Sequence, residues 1–592
     1  MSGRLPSTEL IESRPVAVED GAAPLSVEPE LRLTADRQSA HSRGLAALFV
    51  LLAGVTLFYN LDGVHSLGSH EAYAAVPADE MLRTGNWTIP YFAGVPRLTK
   101  PPLVYWVLAA LGTVCGGLSE GVARLPQAIA ALLLAVLMGV WGAKWYGRAA
   151  GWSAAFIQVT ALYVLTYGRK IDVDMTVWLL IAAALFLIAH QPAEESRGRS
   201  FVRWAAIGGL IAVSWLAKFH YGPAMIVAPA VVFFLIQKRP RHLLRFLNPV
   251  GLMFIAAAVF IWPWLVLRQM PDAMEIWYQE TVGRAVGDKG HDPVWFFVPV
   301  VLTSMLPWTP FALAAARDSW RRAWKDGHAG ERFVWVWFLT HFFIVSAQAD
   351  KHVHYVNSAL PALTLLAAQV VPGFLKRVQS GSAWFGVRPA LLTTLLVAPG
   401  MAVTAVVLAK IWPNLIEPVT ATAAIVGVGV PLGAWLAAFL RFRWAVLVDV
   451  AAFLGAFIVI HGWILPKQDN RLATARFAAE IRELAGPETT VATYRLGQHS
   501  STFYLGAPTR RVDTFEGIRE LARKEGRIFV MTTQPYSGDL QYLPHDRLVW
   551  VMQPQPGVAP PRHAPFVLLE VRSPELVKRM AARTAAGKSP RR

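Results

Sequence analysis

The chain has 592 residues, of which 54% are hydrophobic and only 16% charged, with a formal net charge of +17 and one cysteine. Soluble domains average roughly 45–50% apolar and about 25% charged residues, which excludes an ordinary soluble protein. The single Cys115 excludes an intramolecular disulfide and a thiolate cluster, and the basic excess does not point to nucleic acid. Its lysines and arginines sit in short loops between apolar runs, as they do in cytoplasmic loops.

Residues 1–43 are polar and rich in Pro, Glu and Arg. No small-residue cleavage site follows the long apolar stretch after them, so they are expected to form a disordered cytoplasmic tail rather than a signal peptide. From residue 44 onward, apolar segments recur near the length of about 20 residues that crosses a hydrocarbon core of roughly 30 Å. They lie near 44–62, 101–117, 123–143, 151–168, 174–191, 205–218, 222–237, 248–268, 295–316, 332–347, 355–372, 388–410, 419–440 and 443–464.

If all of them span, Lys144, Arg148 and the cluster Lys238, Arg239, Arg241 and Arg245 face outward, against the positive-inside bias. Segment 101–117 opens with Pro101-Pro102, contains Gly112, Gly116 and Gly117, and is short. Taking it as interfacial or re-entrant leaves about thirteen spans, and every basic loop then faces the cytoplasm. Loops 63–122, 169–173, 269–294 and 348–354 fall outside, with the C-terminal segment. The expected architecture is an α-helical polytopic domain over 44–465 and a small extracytoplasmic α/β domain over 466–592. In the latter, helical stretches (473–484, 515–524) alternate with strand-like runs (490–494, 527–531, 548–552, 566–571).

The loops assigned to the outer side are rich in charge. The first carries Gly68-Ser69-His70-Glu71-Ala72-Tyr73, then Gly85-Asn86-Trp87-Thr88-Ile89-Pro90, then Lys100-Pro101-Pro102 before Tyr105-Trp106. The second carries Arg169-Lys170-Ile171-Asp172-Val173-Asp174. The third holds Glu280 and Arg284 and leads to Pro307-Trp308, and the fourth is Asp350-Lys351-His352-Val353-His354-Tyr355.

In order and spacing these motifs resemble the GT-C glycosyltransferases of the protein O-mannosyltransferase and lipid A aminoarabinose transferase type, over roughly residues 44–470. The resemblance implies a polytopic enzyme of a bacterial inner membrane. It would take a sugar from a polyprenyl-phosphate donor and pass it to a lipid, glycan or protein acceptor on the outer face. One departure stands out: the family has Asp-Glu in the first loop, with the Asp as base, and here His70 takes the Asp position beside Glu71.

The chemistry requires a base for the acceptor and cations for the departing phosphate. Glu71 is expected to be the base, with a pKa raised by partial desolvation. His70 is the alternative base, and Asp174 and Asp172 are further acids. Lys100, Arg284, Lys351 and His354 are candidate phosphate ligands. Tyr73, Lys218, His220, Glu280 and Tyr355 are expected to line the substrate cavity; a charge such as Lys218 near a helix end belongs against a polar cavity rather than lipid. No metal-ligand spacing stands out, although an acidic site of this kind has the donors for a divalent ion. Two other readings fit the same chain. One is a transporter or flippase of polyprenyl-linked sugars, and the other a non-catalytic relative that only binds them.

Overall fold

The computed structural model describes residues 42–192, 194–279, 292–380, 387–439, 441–468, 472–486, 488–496, 500–506, 509–533, 536, 546–551, 566–573, 575–576 and 578. The chain divides into two compact units, Met1–Val50 and Leu51–Arg592; apart from the start of the first helix, the second holds everything below. It is an integral, multi-pass membrane protein. Seven helices among the described residues are long and apolar enough to cross a bilayer, or eight if one bent pair counts as a span.

In chain order the helices are α1 (Ser42–Phe58), α2 (Ser69–Thr84), α3 (Leu103–Cys115), α4 (Glu120–Tyr146), α5 (Arg148–Thr160), α6 (Leu162–Tyr167), α7 (Asp174–Ala189), α8 (Arg197–Lys218) and α9 (Tyr221–Ile236). They continue with α10 (Pro249–Gln269), α11 (Ala273–Tyr278), α12 (Phe297–Ser304), α13 (Thr309–Trp324), α14 (Ala329–Ser346), α15 (Leu360–Gln379), α16 (Val387–Ile411), α17 (Ile416–Ala438) and α18 (Phe442–Val459). The fourteen apolar segments of the sequence are all largely helical here, but fewer qualify as spans by length. At 13 residues α3 is about 20 Å long, too short to cross, as its prolines and glycines suggested.

Two segments expected to run straight are broken. Segment 151–168 divides at Ala161 into α5 and α6. Segment 295–316 divides at Met305–Trp308, where its halves bend by 114°. The two breaks meet. Leu162 N–H donates to the Leu306 carbonyl at 3.0 Å, and the Trp308 indole donates to Thr160 Oγ1 at 2.9 Å. Irregular backbone inside a membrane protein survives only where such partners satisfy it. A π turn at Gly54–Phe58 is met in the same way. The Arg169 guanidinium donates to the carbonyls of Thr56 (3.1 Å) and Tyr59 (2.6 Å).

Small residues set the helix packing, as they do where lipid gives helices no hydrophobic reason to associate. A Cβ on Gly151 would lie 2.6 Å from Ala143 Cβ, and one on Gly208 would lie 2.3 Å from the Gly251 Cα. These positions bring α4 against α5 and α8 against α10.

The C-terminal domain carries α19 (Leu472–Ala485), α20 (Ser501–Leu505) and α21 (Phe515–Glu525). Its strands are β3 (Val491–Tyr494), β4 (Thr509–Val512), β5 (Arg527–Thr533), β6 (Asp546–Val551) and β7 (Phe566–Arg572), following a hairpin of β1 (Tyr91–Phe92) and β2 (Val95–Pro96) in the first loop. The sheet order is β4-β3-β5-β7-β6, parallel among β4, β3 and β5 and antiparallel from β5 through β7 to β6. Alternation along the strands makes two cores. Val491, Phe529, Met531 and Leu568 face Phe477 and Ile481 of α19, while Ala492, Ile528, Val530 and Leu569 face Ile518 and Ala522 of α21. The α/β reading anticipated every strand of this sheet except β4. Its Thr-Arg-Arg-Val sequence carries the charge of an edge strand and hides the pattern.

Candidate active site

The first loop, the 169–173 turn and the segment before α15 converge on one end of the bundle. Asp174 is the first residue of α7, and its carboxylate is 1% exposed. Its Oδ1 lies 2.5 Å from Lys218 Nζ at the end of α8, and its Oδ2 lies 3.5 Å from His354 Nε2. A carboxylate at a helix start is favoured by the exposed N–H groups there. The Lys218 ammonium also sits over the rings of Tyr221 and Tyr355, at 4.8 and 5.1 Å. Next to this pair, Lys100 Nζ donates to Asp172 Oδ1 at 2.9 Å. Burial opposes both charges. Even so, Asp172 and Asp174 hold the Lys100 ammonium above the ordinary lysine range, and the Lys100 and Lys218 cations hold the Asp172 carboxyl well below the usual one.

His70 and Glu71 are neighbours with different surroundings. Glu71 is 1% exposed, and its two oxygens accept from Arg124 Nε and Nη2 at 3.1 and 3.3 Å. They also accept the N–H groups of Gly68 (3.0 Å) and Ile171 (3.2 Å). Burial alone would push the Glu71 carboxyl up, but the charge and hydrogen bonds of Arg124 outweigh it and the net shift is downward. This corrects the expectation of a raised pKa: the carboxylate is an ion-paired anchor that ties the first loop to the second. The ring of His70 is exposed, edge-on to Tyr73 at 5.5 Å, within the fields of Lys170, Asp172, Lys100 and His352. Partial burial and then Lys170 lower its pKa from the ordinary imidazole range, which favours the neutral ring.

His70 opens on a cavity of about 860 Å³ lined by His65, Ser69, Thr166, Lys170 and Phe457, among others. Lys170 has no carboxylate partner among the described residues; its ammonium lies 5.9 Å from the Tyr167 ring. A second, apolar cavity of about 700 Å³ lies between α3, α8 and α10, with Trp106, Val213, Phe254 and Trp262 in its wall. Leu98, two residues before Lys100, packs against Trp106 and Trp262 beside it.

The remaining candidates fare differently. Tyr73 supports the Arg97 guanidinium, 4.2 Å from its ring centre, and Tyr355 packs on His354 at 4.8 Å. His220 is exposed in the turn between α8 and α9. Lys351 does not join the cluster; its ammonium donates to the carbonyls of Asp292 (2.9 Å) and Gln348 (2.6 Å) and staples its own loop. Glu280 and Arg284 lie outside the described residues. No group of three or more His, Cys, Asp or Glu side chains placed to hold a metal occurs among the described residues; lysine ammonium groups face Asp172 and Asp174 instead.

Arg124 escaped the sequence reading, although a signal was present. An arginine inside an otherwise apolar run is costly unless it has a buried partner. Arg97 and Glu120 carry no comparable local mark.

Residues 99–265 match the family model of the dolichyl-phosphate-mannose-protein mannosyltransferases. The chain is 27% identical over 336 residues to the undecaprenyl phosphate-alpha-4-amino-4-deoxy-L-arabinose arabinosyl transferase of Erwinia tasmaniensis, covering 54% of this chain and 59% of that protein. It is 28% identical, also over 336 residues, to the transferase of the same name from Pseudomonas savastanoi pv. phaseolicola, of which it covers 60%. The chain thus spans about three-fifths of the length of these relatives. Its fold is similar to the crystal structure of ArnT from Cupriavidus metallidurans bound to undecaprenyl phosphate, with a TM-score of 0.72 at 21% identity, covering 89% of this chain and 98% of that one.

Proposed function

We propose that this chain, a membrane protein with the GT-C fold of the aminoarabinose-transferase type, transfers a sugar from a polyprenyl-phosphate donor to a lipid, glycan or protein acceptor. The transfer takes place on the outer face of a bacterial inner membrane. The observation that carries this reading is the pair of ion pairs, Lys100–Asp172 and Lys218–Asp174, within the field of the exposed His70, which lines a cavity of about 860 Å³. The basic loops discussed above support placing that end, and the α/β domain bonded to it, outside the cytoplasm.

In this reading the apolar cavity takes the polyprenyl chain and brings its phosphate to Lys100, with Lys170 as a second cation. His70 takes the proton of the acceptor. The acceptor atom bonds to the anomeric carbon as the bond to phosphate oxygen breaks, and the electron pair leaves on the polyprenyl phosphate. Asp172 and Asp174 present negative charge to the electron-poor sugar ring. Glu71 is a positioning residue, which revises the base expected from sequence. Incubating the purified protein with a radiolabelled polyprenyl-phosphate sugar tests the reading by release of polyprenyl phosphate. Donor that crosses the bilayer intact would assign a flippase instead, and donor that is bound and never cleaved a non-catalytic relative.

Three variants follow. Lys100→Ala should raise the donor KM by about 10- to 100-fold, the size of a charge-assisted contact; an unchanged KM removes Lys100 from the phosphate site. His70→Asn should lower turnover by about 100-fold or more. His70→Asp, with a carboxylate in its place, should keep turnover and carry the acid limb of the pH profile to lower pH, because a carboxylate stays unprotonated below the imidazole range. Equal activity of wild type and His70→Asn across pH would exclude the imidazole as base.

A further inference from the structure

The α/β domain does more than hang beside the bundle; it reaches into the loops that hold the site. Arg511 N–H of β4 donates to the Ala93 carbonyl at 3.0 Å, so the edge of the C-terminal sheet meets the tip of the first-loop hairpin. At that tip Gly94 has φ +77°, and a Cβ there would lie 3.1 Å from the Arg510 side chain. Phe503 of α20 packs into the cluster of Ala72, Val76, Phe92 and Ala93. The Arg482 side chain, from α19, donates to the carbonyls of Leu505 and Gly506 and anchors the C-terminal end of α20.

Tyr504 is the residue through which this docking reaches the site. Its hydroxyl accepts the Leu67 N–H at 2.7 Å and donates to Glu120 Oε1 at 2.5 Å. The other Glu120 oxygen lies 3.5 Å from Arg124 Nη1. Arg124 grips both oxygens of Glu71, and Glu71 in turn holds the amides of Gly68 and Ile171. Two residues after Gly68 is His70, and one residue after Ile171 is Asp172. A single hydroxyl of the C-terminal domain therefore terminates a hydrogen-bonded chain that spans both site loops.

We propose that Tyr504 is a positioning residue, through which the docked α/β domain sets the placement of His70 and Asp172 by way of Glu120, Arg124 and Glu71. The catalytic consequence rests on the transferase reading above; the structural consequence does not. Without the hydroxyl, Glu120 loses its donor and competes with Glu71 for Arg124, and the grip on the Gly68 and Ile171 amides loosens. Tyr504→Phe keeps the ring and its packing and removes only that atom.

The test measures the full-length Tyr504→Phe protein in two ways. Hydrogen exchange should rise about tenfold in peptides covering 66–72 and 169–173, the scale of one hydrogen bond to a charged group, while peptides of β3, β5 and β7 exchange as in wild type. Turnover of the polyprenyl-phosphate sugar should fall by about tenfold with the donor KM within twofold of wild type. Unchanged exchange in the two loop peptides overturns the proposal. Faster exchange throughout the sheet also overturns it, since Tyr504 would then only be holding its own domain together. If wild type itself transfers nothing, the transferase reading fails, and the exchange result alone decides whether Tyr504 positions these loops.

Discussion

Replacing Asp174 by asparagine is expected to lower kcat/KM for sugar transfer by about a thousandfold, within the range of removing a positioned charge from a transition state. The substitution preserves shape and deletes one negative charge. That charge is 1% exposed, 2.5 Å from the Lys218 ammonium and 3.5 Å from the His354 imidazole. Removing one member of such a pair strands the other, at about 3–5 kcal/mol for a fully buried pair and less here because Lys218 is 18% exposed. Lost activity could then simply reflect lost structure, so a companion variant separates the two. Asp174→Asn with Lys218→Met removes the stranded cation and should recover most of the thermal stability while activity stays lost. Transfer by Asp174→Asn within tenfold of wild type would exclude Asp174 from the site.

Arg124→Met, in α4, should strongly destabilise the join between the first two loops. The Arg124 side chain is 0% exposed. It donates to Glu71, to the carbonyls of Leu61 (2.6 Å) and His65 (2.8 Å), and to His65 Nδ1 (3.1 Å). Methionine fills part of the volume and leaves the buried Glu71 carboxylate without its cation, at about 3–5 kcal/mol.

The pH dependence has a defined sign. In wild type the folded Glu71 pKa lies below its ordinary 4.5, so its contribution is present above that value and is lost as pH falls through the folded pKa. In Arg124→Met, burial is opposed only by His65 and the Gly68 and Ile171 amides, and the folded pKa is expected to rise above 4.5. The folded state then binds the extra proton, so the deficit should shrink as pH is lowered from 8 to 5. Thermal unfolding of both proteins in one detergent across that range measures it. A deficit that is constant with pH would show that Glu71 is not what Arg124 neutralises.

Much of the candidate cluster was legible before any coordinates. His70, Lys100, Asp172, Asp174, Lys218 and His354 are charged or titratable residues in the outer loops or at the ends of apolar segments. That pattern is readable because a charge at such a place needs water or a partner. Lys351 fits the same pattern, yet its ammonium goes to carbonyls of its own loop. Sequence position does not say which acceptor a flexible four-carbon stem will find. Glu71 stood out in the sequence, but its ion pair did not, because Arg124 is 53 residues away on another helix.

The sequence by itself determined that this is a polytopic helical membrane protein with a small α/β domain after it. Hydropathy over 20 residues and strand alternation are local properties, which the solvent reads one segment at a time. Tertiary structure alone decided which cation each carboxylate meets: Arg124 for Glu71, Lys100 for Asp172 and Lys218 for Asp174. It also decided where the helices of 151–168 and 295–316 break, since each break is satisfied by the other's backbone. Likewise, Tyr504 acquired a place in the site only when the C-terminal domain docked on the first loop. A pKa, a broken helix and a hydrogen-bonded chain all depend on groups brought together from distant positions, and their energies come from distances and burial that exist only in the folded chain.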